Sequence, residues 1–223
     1  MKPYYEDGVI TAVRWRLSDW LKRFFLLSPP VRKGCSKMGK KVLTNPQQSV
    51  YHSVMSSDRD YDVGNIVEIS EMFLSLQGEG PSAGTPAVFV RTRRCPLRCC
   101  WCDTAYTWDP QDPGYQRYEL MSPRNVARRV RELAGDSARL VVFTGGEPML
   151  WQRRLAEVVE LLDGYQFEVE TSGTVTPKEL KFKCLFNVSP KLQSSGNRGL
   201  RRINEQAFTT LAELKWWVVW KFV

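Results

Sequence analysis

The stretch RCPLRCCWCDTAYTW, residues 94–108, places four cysteines within eight positions. The other two cysteines, Cys35 and Cys184, lie far from it along the chain. No apolar run approaches the roughly 20 residues that a membrane span needs, and no secretory signal is recognisable at the N-terminus. We therefore expect a cytoplasmic protein in which clustered cysteines are metal ligands rather than disulfide partners.

The spacing of Cys95, Cys99 and Cys102 puts three thiolates in one loop. A structural zinc site normally takes four protein ligands, and Cys100 is adjacent to Cys99, so the two rarely point at the same ion. The other candidates for a fourth ligand lack suitable spacing; they are Cys35, Cys184 and His52. Three cysteines favour a [4Fe–4S] cluster with one iron open to a small molecule. Zinc remains the less favoured alternative.

Strand and helix patterns alternate on both sides of this loop. The strand-like segments are NIVEISEMF and PAVFVRT before it, and RLVVFTGGEP, YQFEVETSGT, CLFNVSPK and WWVVWKFV after it. A helix is predicted to begin with Ser122 as N-cap and Pro123 as its first residue. A second follows from the spacing of Leu155, Val158 and Leu162. This alternation predicts an α/β domain, a parallel sheet or barrel with its sites at the carboxyl ends of the strands.

The N-terminal part, residues 1–65, differs from the rest in composition. It holds 11 Lys and Arg against 6 Asp and Glu, which accounts for most of the net charge of +8. Residues 9–27 predict a basic amphipathic helix, for which peripheral packing is favoured over membrane-surface or partner binding. Residues 31–64 read as a linker, and residues 66–223 as the core domain. The near-balanced core domain gives no support for nucleic-acid binding.

The cysteine loop resembles a known cluster loop. Its pattern CxxxCx(aromatic)C, with Trp101 as the aromatic residue, is similar to that of the radical S-adenosylmethionine (SAM) enzymes. The segment TGGEP, residues 144–148, matches the superfamily position for the methionine end of SAM. Glycines allow close backbone approach to a ligand, and the carboxylate of Glu147 is a candidate partner for the SAM ammonium group.

Four further segments narrow the resemblance to one family. They are LSLQGEGPSAGTPAVFVRTRRCPLRCCWCDTAYTW, EVETSGT, NVSPKLQSSG and WKFV. In this order they resemble the 7-carboxy-7-deazaguanine synthases over residues 66–223. The resemblance implies a partial (β/α) barrel of the radical SAM type. The barrel is expected to be shortened at the C-terminus relative to the family and to carry an N-terminal extension that the family does not require. Its last strand would then leave an apolar edge that favours a homodimer.

The resemblance also implies a reaction. A 5′-deoxyadenosyl radical from SAM takes a hydrogen atom from 6-carboxy-5,6,7,8-tetrahydropterin, and ring contraction with loss of ammonia gives 7-carboxy-7-deazaguanine, a step of queuosine biosynthesis. A flavodoxin- or ferredoxin-type protein would supply the electron. The alternatives are another radical SAM enzyme such as a glycyl-radical activase, a non-catalytic iron–sulfur or zinc module, and a basic nucleic-acid-binding protein.

The site residues that the resemblance implies fall into four sets, with no separate catalytic residue. The cluster ligands would be Cys95, Cys99 and Cys102, and Thr104 would help hold Mg²⁺. SAM would be bound by Gly145, Gly146, Glu147, Gly173, Ser189, Pro190 and Lys191. The pterin would be bound by Leu76, Gln77, Gly78, Gly80, Arg91 and Thr171. A solvated basic rim beside the loop is expected from Arg93, Arg94 and Arg98.

Overall fold

Seven strands form one sheet in the part of the chain that this computed structural model describes, residues 65–178, 184–214 and 218–222. They are β1 (Val67–Leu76), β2 (Pro86–Thr92), β3 (Glu119–Met121), β4 (Leu140–Gly145), β5 (Gln166–Thr171), β6 (Leu185–Val188) and β7 (Val218–Trp220). Their order across the sheet is β3-β1-β2-β4-β5-β6-β7. Five neighbouring strands run parallel to one another: β2, β4, β5, β6 and β7. The sheet is open, as expected for a partial barrel.

Strand β1 departs from the expected parallel arrangement, because it runs antiparallel to both β2 and β3. Its connection to β2 is the turn over residues 77–85, whereas a parallel crossover needs about a dozen residues or more. Within this turn Gln77 and Thr85 are joined by a backbone hydrogen bond of 2.9 Å. The short turn therefore forces a hairpin.

Four α-helices of the described residues connect these strands: α1 (Pro123–Ala134), α2 (Gln152–Glu160), α3 (Gly199–Arg202) and α4 (Glu205–Glu213). Three 3-10 turns accompany them, at Ala105–Thr107, Pro148–Trp151 and Gln193–Ser195. The predicted start of α1 is confirmed, since the Ser122 hydroxyl accepts a hydrogen bond from the Asn125 backbone N–H at 3.3 Å. Helices α3 and α4 and strand β3 were not predicted.

The main hydrophobic core lies between one face of the sheet and the helices. Val126 and Val130 of α1, Val158 of α2 and Leu211 of α4 are buried there against strand residues such as Phe143. Side chains alternate along a strand, so neighbouring strand positions point away from the helices. On that opposite face a small apolar cluster is formed by Ala87, Phe89, Leu140 and Val142, with Phe73 packed against it.

Polar residues continue that opposite face toward the carboxyl ends of the strands. Arg91 lies two positions after Phe89 in β2, and Thr144 lies two positions after Val142 in β4. Glu170 of β5 extends the same row on the neighbouring strand. The strands therefore present a polar surface at the sheet edge where their carboxyl ends meet.

Several predictions fall outside the described residues. These are the amphipathic helix over residues 9–27, the linker over 31–64, and part of the last predicted strand, including Trp216 and Trp217. The domain boundary at residue 66 stays a prediction. No helix among the described residues is long and apolar enough to cross a membrane.

Candidate active site

A cavity of about 420 Å³ opens at the carboxyl ends of the parallel strands, beside the cysteine loop. Ten of the residues predicted for the site line it: Arg91, Cys95, Cys99, Cys102, Thr104, Gly145, Gly146, Thr171, Ser189 and Lys191. They come from the ends of β2, β4, β5 and β6 and from the loop after β2. The fold therefore brings together residues that are up to about 100 positions apart in sequence.

The cysteine loop is held in place by backbone contacts to distant segments. Arg94, at its start, has a φ of 69°, a conformation unusual for a residue other than glycine. The Arg94 N–H donates to Thr107 O at 2.9 Å, which closes the loop on itself. The Cys100 N–H donates to Ser195 O at 3.0 Å. The loop is thus closed on itself and anchored to the segment after β6.

The expected solvated basic rim beside the loop is wrong for Arg93. Its side chain is buried, and its guanidinium lies 3.9 Å from the ring centroids of both Tyr115 and Tyr118. Arg94 is exposed but forms an ion pair with Glu68. Cation–π contacts and the Glu68 carboxylate compensate these two charges, so they are structural supports of the loop.

Each of the three predicted cluster ligands lies at least partly inside the protein. Burial, together with the negative charge of Glu147, raises the pKa of Cys95 to about 12. Burial also raises the pKa of Cys99. Cys100 is exposed and its Sγ lies 3.5 Å from Ser194 O. Among the described residues, the cysteines that line the cavity are the three of the predicted ligand set.

The donor set fits a cluster. Within the described ranges, no three His, Cys, Asp or Glu side chains converge on a point where one metal ion could bind. The thiolates of a [4Fe–4S] cluster bind different irons, so a cluster does not require such convergence. Sulfur-rich ligation and a neighbouring cavity for an exogenous ligand are the chemistry that such a cluster needs.

Gly145 and Gly146 let the end of β4 lie directly against the end of β2 and the start of the cysteine loop. A Cβ atom on Gly145, where φ is 121°, would lie 2.1 Å from Thr92 O. One on Gly146 would lie 2.2 Å from Arg94 O. Both contacts are to backbone atoms and could not relax easily. Only glycine allows this approach, and both glycines also line the cavity.

Glu147 is not placed where the sequence analysis expected it. Its side chain is fully buried and does not line the cavity. One carboxylate oxygen accepts from Thr171 Oγ1 at 2.6 Å and from Met149 N at 3.2 Å. The other accepts from Ser172 N at 2.9 Å and from Ser172 Oγ. These donors saturate the carboxylate, so in this structure it joins β4 to β5 rather than facing a ligand.

The residues predicted to bind the pterin divide into two groups. Arg91 and Thr171 line the cavity, and Arg91 Nε donates to Glu71 Oε1 at 2.6 Å. Four others do not line it: Leu76, Gln77, Gly78 and Gly80. Leu76 is 60% exposed, whereas Gln77 is buried. These four belong to the end of β1 and to the turn after it.

Gln77 acts within a buried polar network beneath the cavity. Its Nε2 donates to Glu168 Oε2 at 2.7 Å and lies 3.3 Å from Glu170 Oε1. Asn187 Nδ2 donates to the same Glu168 oxygen at 3.0 Å. Gly80 packs on Asn187, because a Cβ on Gly80 would lie 2.5 Å from Asn187 Oδ1. The turn over residues 77–85 is thus held against β5 and β6.

The predicted SAM-binding residues that follow β5 and β6 also fall into two groups, those that line the cavity and those that do not. Lys191 lines the cavity, donates from Nζ to Ser189 Oγ at 2.9 Å, and lies 5.4 Å from the centroid of the Trp101 ring. Pro190 is buried and Gly173 is packed under Phe208; neither lines the cavity. Pro190 and Gly173 therefore pack behind the residues that form the cavity wall.

Sequence reasoning missed several residues that line the cavity: Glu79, Asp103, Thr144, Glu170, Asn187 and Lys221. The signal that could have found Glu170 and Asn187 is a polar residue at alternate positions of an otherwise apolar strand. No sequence pattern links Glu79 with Lys221, which form an ion pair between distant parts of the chain.

Comparison with known proteins identifies relatives of this chain. The family model of the radical SAM superfamily matches residues 89–212. The chain is 42% identical over 134 residues to the 7-carboxy-7-deazaguanine synthase of Pyrobaculum aerophilum, a match that covers 58% of this chain and 57% of that protein. It is 35% identical over 160 residues to the enzyme of that name from Escherichia coli K12, covering 61% of this chain and 69% of that protein.

A solved structure shows the same fold. The crystal structure of QueE from Escherichia coli aligns with a TM-score of 0.51 at 33% sequence identity, covering 65% of this chain and 67% of that one. The fold and the cysteine-lined cavity are those of a radical SAM protein. The chain belongs to the radical SAM superfamily and, within it, to the 7-carboxy-7-deazaguanine synthase family. It spans about half the length of several relatives, 57% of the Pyrobaculum protein and 48% of the one from Halobacterium salinarum.

Proposed function

We propose that this chain uses a [4Fe–4S] cluster and SAM to convert 6-carboxy-5,6,7,8-tetrahydropterin into 7-carboxy-7-deazaguanine with loss of ammonia. The observation that carries the proposal is one cavity lined both by three cysteines and by Arg91. The names of the relatives, 7-carboxy-7-deazaguanine synthase, support the same reaction.

The cofactor end of the cavity would be the cysteine loop. Cys95, Cys99 and Cys102 would hold the cluster, which with SAM supplies a 5′-deoxyadenosyl radical when bound. Gly145 and Gly146 would let the methionine part of SAM approach the backbone at the end of β4.

The remaining cofactor contacts are proposed from the opposite wall. Lys191 and Ser189 line the cavity and would contact the rest of SAM directly. Gly173 and Pro190 would act from behind the wall. Glu147 keeps only a supporting role in this proposal, because its carboxylate is already occupied by hydrogen bonds from β5.

The substrate end would be built around Arg91. Arg91 lines the cavity and its Nε donates to Glu71, which leaves its terminal nitrogens for the planar, two-point binding of a carboxylate. Thr171 would line the same pocket. The predicted contacts of Leu76, Gln77, Gly78 and Gly80 would depend on the turn over residues 77–85, which adjoins the cavity through Glu79.

Thr104 would help to hold Mg²⁺. Its hydroxyl lies 3.6 Å from Cys102 Sγ, and Thr104 and its neighbour Asp103 both line the cavity. Hydroxyl and carboxylate oxygens are hard ligands of the kind Mg²⁺ prefers, with substrate oxygens and water completing the shell.

We extend the proposal to a flavodoxin- or ferredoxin-type electron donor, a homodimer and a cytoplasmic location.

The proposal is tested by anaerobic incubation of reconstituted protein with the pterin, SAM and a reductant, followed by mass spectrometry. We expect both 5′-deoxyadenosine and 7-carboxy-7-deazaguanine. Formation of 5′-deoxyadenosine without the deazaguanine product would refute the substrate assignment.

A matched pair of variants tests the role of Arg91. Arg91→Met should keep slow SAM cleavage but lose product formation, because the pterin carboxylate loses its partner. Arg98→Met is the control, since Arg98 is exposed and does not line the cavity. Equal product yields from the two variants would contradict the assignment of Arg91.

A further inference from the structure

Two nitrogen donors outside the ligand set point at the sulfur atoms of predicted cluster ligands. Trp108 Nε1 donates to Cys102 Sγ at 3.4 Å. Asn197 Nδ2 donates to Cys99 Sγ at 3.3 Å. Neither residue belongs to the cofactor or substrate sets considered above. Their contacts reach two different sulfurs of the same loop.

The Trp108 contact has only one chemical direction. An indole nitrogen donates and cannot accept, so the sulfur must be the acceptor. Trp108 follows the 3-10 turn Ala105–Thr107, and its backbone N–H donates to Ala105 O at 3.0 Å. Its side chain is half-buried and lines the cavity. The turn after Cys102 therefore folds back and places the indole N–H within hydrogen-bonding distance of the Cys102 sulfur.

The amide orientation of Asn197 follows from its contact with Arg98. Its Nδ2 carries two hydrogens and also lies 3.2 Å from Ser195 Oγ. The backbone N–H of Arg98 donates to Asn197 Oδ1 at 2.9 Å. A backbone N–H can only donate, so the side-chain oxygen must face it and the amide nitrogen must face Cys99. Asn197 lies in the segment after β6, 98 positions from Cys99, so only the tertiary structure brings the two together.

We propose that Trp108 and Asn197 are positioning residues that raise the reduction potential of the cluster through N–H···S hydrogen bonds; the inference rests on the cluster of the proposed function. On reduction one electron enters from the external donor, and no covalent bond forms or breaks. The added negative charge is shared with the cysteine sulfurs, so a donor to sulfur stabilises the reduced cluster more than the oxidised one. Hydrogen bonds to the sulfurs are among the known determinants of cluster potential.

The central experiment compares Trp108→Phe with Trp151→Phe. Both remove an indole N–H and keep an aromatic ring, but Trp151 Nε1 donates to a backbone oxygen, Arg93 O, at 2.8 Å. The measurement is a redox titration of the reconstituted protein followed by electron paramagnetic resonance, after iron and sulfide have been counted. It needs neither pterin nor turnover, so its failure is distinct from failure of the proposed reaction.

We expect the equilibrium constant for reduction to fall about tenfold in Trp108→Phe, which is about 59 mV for one electron. Trp151→Phe should keep the wild-type potential. Asn197→Leu should lower the potential in the same direction, and the double variant should show nearly the sum because the donors act on different sulfurs. An unchanged potential in Trp108→Phe with an intact cluster, or the same shift in Trp151→Phe, would overturn the proposal.

If Trp108→Phe fails to bind iron, a second measurement tests the hydrogen bond between Trp108 and Cys102 in the wild-type protein. Pulsed electron paramagnetic resonance of the reduced wild-type cluster, labelled with ¹⁵N at the tryptophan indoles, should show a ¹⁵N coupling and an exchangeable proton that is lost in D₂O. Trp151→Phe should keep both signals. Their absence from the wild-type protein would refute the hydrogen bond itself.

Discussion

Replacing Glu147 by glutamine separates two roles for this residue. The structure places its carboxylate at zero exposure, with hydrogen bonds from the Met149 and Ser172 backbone N–H groups and from the Thr171 and Ser172 hydroxyls. The sequence pattern instead suggested a carboxylate that receives the SAM ammonium group. Glutamine keeps the shape of the side chain and removes the charge.

The loss of stability expected for Glu147→Gln follows from counting the hydrogen-bond donors around the side chain. Either orientation of the introduced amide would place its NH₂ group against one backbone N–H, of Met149 or of Ser172, which cannot become an acceptor. One buried donor left unsatisfied costs about 1–3 kcal/mol, and hydrogen bonds to a neutral amide are weaker than those to a carboxylate. The two hydroxyls can rotate to accept. We therefore expect a loss of about 2–4 kcal/mol in the free energy of unfolding, or roughly 4–16 °C in Tm for a domain of this size.

The assay is urea unfolding of the cluster-free protein, followed by circular dichroism and repeated as a thermal melt. Glu132→Gln is the matched control, because Glu132 is exposed and pairs with Arg128 on the surface of α1. Exposed pairs of this kind contribute less than about 1 kcal/mol. The control should therefore unfold nearly like the wild type.

Binding of SAM to the reconstituted Glu147→Gln protein completes the test. If the carboxylate is structural, the variant should lose stability, and excess SAM should still bind below the melting temperature. A variant as stable as Glu132→Gln but unable to bind SAM would refute the reasoning from the structure and restore the ammonium-binding role.

Three further outcomes are expected. Cys99→Ser should lose its iron on reconstitution whereas Cys100→Ser should retain it, because Cys99 lines the cavity and Cys100 does not; equal iron contents in the two variants would contradict the ligand set. Burial raises the pKa of Cys184 above its ordinary 9.0, so the native thiol keeps its proton while the unfolded one loses it. Relative to Cys184→Ala, the free energy of unfolding of the wild type should therefore fall by about 1.4 kcal/mol per pH unit above about pH 9. The same pH dependence of both proteins in urea unfolding would show that the Cys184 thiol is not buried in the folded protein. Arg91→Lys should weaken pterin binding about tenfold or more in titration calorimetry, since a lysine ammonium cannot form the two-point contact; an unchanged affinity would exclude that contact.

Much of the fold could be predicted because the signals are local. Strand β2 was predicted with its observed bounds, and the start of α1 followed from the Ser122 cap and the proline after it. Strand β3 was missed because three residues carry no usable periodicity. Helix α4 was missed although Phe208 and Leu211 share one face, since the surrounding polar residues obscured the pattern.

The direction of β1 could not be predicted from its own residues. Its apolar pattern suits a parallel or an antiparallel strand, and the deciding quantity is the length of the connection to β2. Similarly, the pattern around Glu147 is the same whether the carboxylate faces a ligand or a neighbouring strand. Rotation of that side chain toward Thr171 and Ser172 is decided by packing between β4 and β5.

The sequence alone determined the chemistry of the cysteine loop and its place at the end of a strand, because both depend on spacing within a few residues. Only the tertiary structure decided which residues face the cavity. It placed Arg91, Thr171 and Lys191 beside the thiols, and it brought Asn197 to Cys99 across nearly 100 positions of the chain. Contacts of this range arise from the register of parallel strands and the path of their connections, which no local pattern contains.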